Sequence, residues 1–239
     1  MTRAADLVAA NLAVVEERIR QACRDADRDR SSVRLLPVSK THGPELIEAA
    51  YAAGIGMFGE NRIQELADKA ERLAGHVGLR WSVIGHLQSN KTRLAAEIAD
   101  EMQTVDSTKT ARALDRRRTE LDRPLDVFIQ VNSSDEPQKS GVGPDQVVPL
   151  ARELEQCDAL RVRGLMTIAV FSDDQDRVAA CFARMVRLQE ELRQNDLLDG
   201  TFDDLSMGMS GDFELAIAHG ATTVRVGQAI FGARPARTG

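Results

Sequence analysis

The sequence of 239 residues predicts a single (β/α)8 TIM barrel spanning residues 1–239, with an extra helix at its N-terminus. Three observations support this fold class. Short runs rich in β-branched residues alternate with longer stretches of helical spacing, eight such runs occur, and the length suits one barrel domain. Strict alternation implies parallel strands with helical crossovers, and eight units favour a closed barrel over the alternative, an open doubly wound sheet.

The N-terminal segment predicts an amphipathic helix and not a signal peptide. Its apolar side chains recur at helical spacing, and acidic residues interrupt any apolar run. These side chains are Val8, Leu12, Val15, Ile19 and Cys23. Since no stretch approaches the roughly 20 apolar residues that span a bilayer, we expect a cytoplasmic protein without a membrane partner.

The eight predicted strands follow this helix. They cover residues 35–40, 57–60, 80–85, 102–105, 125–131, 162–168, 204–207 and 222–227. Helical stretches lie between them, including 44–54, 62–75, 145–157, 177–195 and 211–220. Pro37 argues against the first strand, because proline removes a backbone donor from the sheet.

Composition excludes several function classes. The net charge is −6 and basic residues are scattered among acidic ones, so nucleic acid is not an expected partner. The histidines show no spacing typical of a metal site. The three cysteines are an odd number without C-x-x-C spacing, and we expect free, buried thiols.

The run from Gly54 to Gly59 matches a dinucleotide-binding fingerprint, but it follows a helix and leads into a strand, so we interpret it as a helix end and turn.

Lys40 is the first candidate functional residue. It shares one face of the first predicted strand with Leu36 and Val38, and it lies at the C-terminal end, where such barrels carry their active sites. The neutral amine of a partly desolvated lysine can attack an aldehyde to form a Schiff base. A surface lysine covering the barrel rim is an equally good interpretation of position alone.

Two further segments are expected at the same mouth. Residues 205–211, which are rich in glycine and contain Ser210, join strand seven to a helix where barrels often bind phosphate; alternatively, Ser210 is only a helix N-cap. Phosphate binding requires the carboxylates of Asp212 and Glu214 to face away. In strand eight, alternation directs Arg225 inward, where its acceptor is either an internal carboxylate or an unprotonated ligand nitrogen. Together these features describe an aldehyde-phosphate ligand.

The sequence resembles the pyridoxal phosphate homeostasis proteins, which share the barrel of alanine racemase, over nearly its whole length. The matching blocks are Leu36-Pro-Val-Ser-Lys-Thr41, Phe58-Gly-Glu-Asn61, Gln64-Glu65, Ile84-Gly-His-Leu-Gln-Ser-Asn-Lys91, Gln130-Val-Asn132, Lys139-Ser-Gly141, Gly164-Leu-Met-Thr-Ile168, Leu205-Ser-Met-Gly-Met-Ser210 and Val224-Arg-Val-Gly-Gln-Ala-Ile-Phe-Gly-Ala-Arg234.

The resemblance implies a cofactor site for pyridoxal 5'-phosphate (PLP). It implies that PLP is covalently bound to Lys40, that Ser210 and the backbone of Gly227 and Gln228 hold the phosphate, that Arg225 faces the pyridine nitrogen, and that Asn61 lies beside the ring.

Two residues depart from the family pattern. Gln228 replaces a small hydroxyl residue, which leaves only its backbone N–H for the phosphate. Arg62 replaces a tyrosine found in many members, which predicts a more polar wall of the site.

We expect a non-catalytic protein that binds PLP, buffers it and delivers it to apo-enzymes. A racemase needs a second acid/base, which alanine racemase takes from a tyrosine of an additional C-terminal domain; this sequence ends at Gly239 without one, and its one tyrosine, Tyr51, is expected to pack on a helix. An inward Arg225 would also leave the pyridine nitrogen unprotonated and weaken its electron sink.

Two alternatives stay open, a PLP-dependent racemase-like enzyme and a lysine-dependent aldolase. The expected oligomeric state is a monomer or weak dimer. Lys91, Lys109 and Lys139 are exposed-loop or helix-end candidates for a second, temporary PLP tether.

Overall fold

The computed structural model describes residues 3–195, 197 and 202–233. Eight parallel strands are hydrogen-bonded in the order β1-β8-β7-β6-β5-β4-β3-β2, and helices separate them along the chain. The strands are β1 Arg34–Pro37, β2 Met57–Glu60, β3 Arg80–Val83, β4 Glu101–Val105, β5 Leu125–Val131, β6 Leu160–Thr167, β7 Asp204–Ser206 and β8 Thr223–Val226. The predicted (β/α)8 barrel is thus confirmed, and the open-sheet alternative is wrong.

The helices cover the outside of the barrel. They are α1 Arg3–Asp25, α2 Pro44–Ala52, α3 Ile63–Arg72, α4 Thr92–Ile98, α5 Thr108–Glu120, α6 Val147–Leu154, α7 Gln175–Gln194, α8 Phe213–Ala218 and α9 Gln228–Phe231. None of the helices in the described ranges is both long and apolar enough to cross a membrane.

The extra N-terminal helix α1 packs against α2, α8 and α9. Its five predicted apolar positions are all buried, as the helical spacing requires. Asn11 adds a polar contact, since its side-chain amide donates to the carbonyl of Ile230 at 2.9 Å. Helix α1 therefore covers the outside of the barrel where the first and last strands meet.

The barrel has two apolar layers because successive strand residues face opposite sides. Val224 and Val226 belong to the large cluster between strands and helices, whereas Leu36, Val38 and Ile84 form a separate cluster inside the barrel. Arg225, which lies between the outward-facing valines of β8, therefore points inward.

Pro37 is the last residue of β1, and its effect on the sheet is local. The N–H of Arg34 donates to Thr222 O, just before β8, and the N–H of Val38 donates to Val226 O of β8, while Ser39 N–H donates to Gly59 O of β2. Alternation places the missing donor of Pro37 on the β2 side. As a result β1 and β2 are joined by the isolated Val38–Gly59 bridge and not by a regular ladder.

Two smaller predictions are also confirmed. The Gly54–Gly59 run leaves α2, turns at Gly54 with φ +96° and enters β2, so it is a helix end and turn. Cys23, Cys157 and Cys181 are buried, free thiols.

Candidate functional site

A cavity of about 580 Å³ lies at the C-terminal ends of the strands, and all six predicted site residues line it. Its wall is formed by Val38, Lys40, His42, Asn61, Ile84, Gly85, His86, Gln130, Asn132, Lys139, Ser140, Ile168, Phe171, Met209, Ser210, Gly211, Arg225, Gly227, Gln228 and Gly232. The structure thus brings together residues that follow the first strand, the loop after β7 and the end of β8.

Lys40 reaches this cavity from a turn and not from a strand. Strand β1 ends at Pro37, and Lys40 lies half-buried just beyond the Val38 bridge. The prediction that Lys40 is the last residue of the strand is therefore wrong, because the regular pairing stops at the proline. The next residue, Thr41, has φ +68°, which turns the chain sharply after the lysine.

Arg225 is buried and points into the barrel, as predicted. Its Nη1 donates to Ser206 Oγ at 2.8 Å and its Nη2 to the carbonyl of Thr167 at 2.6 Å. Burial lowers the pKa of Arg225 to about 10, while the negative charge of Asp212 opposes this shift. The expectation of a carboxylate as direct acceptor is wrong, since a hydroxyl and a backbone carbonyl satisfy these two donors.

A carboxylate nevertheless lies further inside. Ser206 Oγ donates to Gln103 Oε1 at 2.7 Å, and Gln103 Nε2 donates to Glu101 Oε1 at 2.7 Å. Glu101 Oε2 accepts from Arg34 Nη1 at 2.7 Å. We call Arg225, Ser206, Gln103, Glu101 and Arg34 the internal network. It fixes the Arg225 guanidinium from behind while that side chain lines the cavity.

The loop after β7 places Ser210 and Gly211 at the cavity. The N-cap of α8 is Asp212, so the alternative in which Ser210 is only an N-cap is wrong. Asp212 Oδ1 accepts from Met209 N at 2.6 Å, and burial raises the pKa of this carboxyl. Glu214 pairs with Arg18 of α1 at 2.6 Å. Both carboxylates are therefore engaged outside the cavity lining.

Gly227 and Gln228 lie where β8 passes into α9. The carbonyl of Gly227 accepts from Ile230 N and Phe231 N, each at 2.9 Å. The first N–H groups of a helix lack partners within that helix, so this end offers donors to a ligand. Gln228 is exposed and also lines the cavity.

Asn61 follows β2, and Gly85 packs against its backbone. A Cβ on Gly85 would lie 2.1 Å from Asn61 O, so only glycine allows this approach. Arg62 is exposed and does not line the cavity. The prediction that it makes one wall more polar is therefore wrong.

Gln130 is the most informative residue that sequence reasoning did not assign. It lies on β5 beside the outward-facing Ile129 and Val131, so it points inward and lines the cavity. Its Nε2 donates to the carbonyl of Ser140 at 3.4 Å. Its buried Oε1 has no hydrogen-bond partner within the described part of the chain. Strand alternation at Gln130-Val-Asn132 is the signal that could have pointed to it.

Tyr51 lies away from the cavity, whereas Lys139 lines it. Tyr51 donates to the carbonyl of Val77 at 2.7 Å and packs edge-on against His76, so its predicted packing role is confirmed. Lys139, expected in an exposed loop, is half-buried at the cavity and donates to the carbonyl of Ala169 at 2.9 Å. Within the described ranges no group of three potential metal-ligating side chains occurs.

Comparison with known proteins places this site in a family. The family model of the alanine racemase N-terminal domain matches residues 10–235. This range includes Arg234, the last residue of the block that begins at Val224, which lies outside the described residues. The pyridoxal phosphate homeostasis protein of Pasteurella multocida is 45% identical over 225 residues, covering 94% of this chain and 96% of the relative.

Solved structures agree. PipY of Synechococcus elongatus PCC7942, solved with PLP bound, is similar with a TM-score of 0.82 and 36% identity, covering 94% of this chain and 100% of PipY. An alanine racemase of Clostridium difficile 630, in complex with cycloserine, has a TM-score of 0.75 at 14% identity, covering 97% of this chain and 61% of the racemase, and shows the shared fold alone. This chain belongs to the pyridoxal phosphate homeostasis proteins, within the alanine racemase N-terminal domain family.

Proposed function

We propose that the cavity binds PLP covalently through a Schiff base with Lys40, and that the protein buffers PLP and delivers it to apo-enzymes in the cytoplasm. The observation that carries this proposal is the convergence of an amine, a buried guanidinium and the loop after β7 on one cavity, at Lys40, Arg225 and residues 209–211. When bound, PLP supplies an aldehyde that condenses with an amine and a conjugated ring that withdraws electrons.

The cavity fits the polar groups of PLP. Arg225, whose pKa of about 10 keeps it charged at neutral pH, suits the unprotonated pyridine nitrogen. Ser210 and the N–H groups at Gly227 and Gln228 suit the phosphate, and Asn61 lies beside the ring. Gln130 Oε1 is a buried acceptor that needs a donor, and the ring hydroxyl of PLP is one.

A carrier role is favoured over catalysis by the chemistry around the ring. A guanidinium that donates to the pyridine nitrogen does not protonate it, so the ring withdraws electrons less strongly. Tyr51, the residue type that serves as second base in the racemases, is held at Val77 away from the cavity. The relatives are named for homeostasis. We propose a monomer or weak dimer, and the buried free thiols suit a reducing cytoplasm.

The test uses the absorbance spectrum of the protein with PLP. We expect a visible Schiff-base band that is lost in Lys40→Ala and kept in Lys109→Ala, which alters an exposed lysine of α5. Mixing the loaded protein with an apo-enzyme that requires PLP should then restore that enzyme's activity. A wild-type protein without the band, or one that never transfers PLP, would overturn the proposal.

The racemase-like alternative makes a different prediction. Incubation of the loaded protein with L- and D-alanine in deuterated water would place solvent deuterium at Cα if the protein acted as such an enzyme. We expect no incorporation above that of free PLP.

A further inference from the structure

Lys69 is a buried lysine whose ammonium is fully paired. It lies on α3 and is 5% exposed. Its Nζ donates to Ser39 O at 2.8 Å, to Glu60 Oε1 at 2.6 Å and to Glu65 Oε1 at 2.7 Å. An ammonium has three donors, and each has an acceptor here. A lysine this buried is rare unless it is paired, so the arrangement holds specific groups in place.

The acceptors of Lys69 bracket Lys40 in the sequence. On one side, Ser39 gives its carbonyl to Lys69 and donates its hydroxyl to Glu60 Oε1 at 2.6 Å. On the other side, Thr41 N donates to Glu65 Oε1. We call Lys69, Glu60, Glu65 and Ser39 the Lys69 cluster. Through this cluster, the residues before and after Lys40 are both connected to the buried ammonium of Lys69.

The turn needs such support because its backbone is strained. Thr41 has φ +68°, a left-handed conformation that β-branched residues rarely adopt. Glu65 accepts the N–H of this residue and so holds the strained conformation. Glu60 is buried with its Oε2 unpaired within the described part of the chain, and burial raises its pKa while the Lys69 charge lowers it. Neither the amine of Lys69 nor Glu60 lines the cavity.

We infer that Lys69 is a positioning residue that directs the Lys40 amine into the cavity and thereby sets the rate at which PLP bonds to it. This inference rests on the proposed PLP function. Lys69 acts through Ser39, Glu65 and the strained turn, and it does not touch the ligand.

The first measurement needs no ligand. Lys69→Met keeps the apolar stem and removes all three donors, so amide hydrogen exchange over residues 39–42 should accelerate by about tenfold, the change expected from one lost hydrogen bond to a charged group. Glu65→Ala should accelerate it similarly, and Glu65→Gln, which retains an acceptor for Thr41 N, should restore slow exchange. Lys109→Met is the matched control and should leave exchange unchanged.

The second measurement separates positioning from general damage. In Lys69→Met the visible band should form about tenfold more slowly with PLP. Binding of 4'-deoxypyridoxine 5'-phosphate, which lacks the aldehyde, should stay as in the wild type because its phosphate and ring contacts are intact. Equal losses for both ligands, or unchanged exchange and unchanged rate, would overturn the inference.

The outcomes remain distinguishable. A wild-type protein without the band refutes the proposed function, whereas a normal band forming at the wild-type rate in Lys69→Met refutes positioning by Lys69. If Lys69→Met does not fold, Glu65→Ala and Glu65→Gln decide the question with the same two measurements, because Glu65 is half-buried and more tolerant of change.

Discussion

Arg225 Nη1 donates to Ser206 Oγ at 2.8 Å, and Ser206 Oγ in turn donates a hydrogen bond to Gln103 Oε1 at 2.7 Å. The cavity is thereby connected to the polar interior of the barrel. Three successive hydrogen bonds lead from Arg225 to Ser206, from Ser206 to Gln103 and from Gln103 to Glu101, and all four side chains are buried. An unpaired donor or charge is costly in such a place. The orientation of Arg225 depends on residues that no ligand can touch.

Gln103→Leu should destabilise the fold. It leaves the Ser206 hydroxyl without its acceptor and Glu101 without one donor, which should lower the free energy of unfolding by about 2 kcal/mol. Urea denaturation measures this change. Gln194→Leu, on an exposed position of α7, should change the same quantity by less than about 0.5 kcal/mol. Equal effects of the two substitutions would show that the internal network does not contribute to stability.

Gln130→Leu should separate ligand binding from stability. Because Gln130 Oε1 is buried and unpaired, its removal relieves an unsatisfied acceptor, and the free energy of unfolding should stay constant or rise. The affinity for PLP should fall by about tenfold, since the ring hydroxyl loses its acceptor. Thermal unfolding and equilibrium titration with PLP measure the two effects. Unchanged affinity would exclude Gln130 as a ligand contact.

Gly208→Ala and Gly220→Ala form a matched pair for the loop after β7. Both glycines have a left-handed backbone, with φ +93° and +92°. A Cβ at Gly208 would lie 2.6 Å from Ala216 Cβ, whereas at Gly220 nothing lies within 4 Å. We expect Gly220→Ala to lower the free energy of unfolding by about 1 kcal/mol, because of the backbone conformation alone. Gly208→Ala should lower it by about 1–3 kcal/mol more, because of the added steric clash.

The same pair tests the phosphate loop. Gly208→Ala should weaken PLP binding, because the shifted loop carries Ser210, while Gly220→Ala should leave PLP binding unchanged. Denaturation curves and PLP titrations on both variants check these expectations. A similar response of both variants would mean that packing of this loop on α8 is not limiting.

Cys157 predicts an alkaline loss of stability. Burial raises the pKa of its thiol from 9.0 to about 11. Between these pH values the thiol keeps its proton in the folded protein and releases it in the unfolded chain. The contribution of Cys157 to the free energy of unfolding is therefore complete below pH 9.0 and is lost as the pH rises through about 11. The loss of unfolding free energy is at most about 3 kcal/mol. Cys157→Ala should therefore show a smaller drop in unfolding free energy between about pH 8 and about pH 11 than the wild type.

Periodicity predicted the fold well because it reports which face of an element is buried. The apolar stripe of α1, the inward direction of Arg225 and the number and order of the strands follow from local spacing alone. The end of β1 was misplaced because the effect of Pro37 depends on which neighbouring strand would have received its N–H.

Contacts between distant residues were not predictable in this way. Ser206 and Gln103 are 103 positions apart, and Ser39 and Lys69 are 30 positions apart. A sequence pattern shows that a polar residue faces inward, but its partner depends on the register and stagger of the closed barrel. The internal network and the Lys69 cluster therefore become visible only in three dimensions, whereas the sequence already indicates Lys40, Ser210 and Arg225 as site residues.

Because Pro37 removes one backbone donor, the barrel is closed between β1 and β2 by Val38 and Ser39, the two residues just before Lys40. Closing the barrel and presenting the lysine are thus one conformational event. A chain in which β1 has not docked on β2 lacks a complete cavity even when the other strand pairs have formed. If PLP occupies the cavity as proposed, its concentration sets the population of closed barrels by mass action, and the vitamin-derived ligand becomes part of the folding equilibrium of its own carrier.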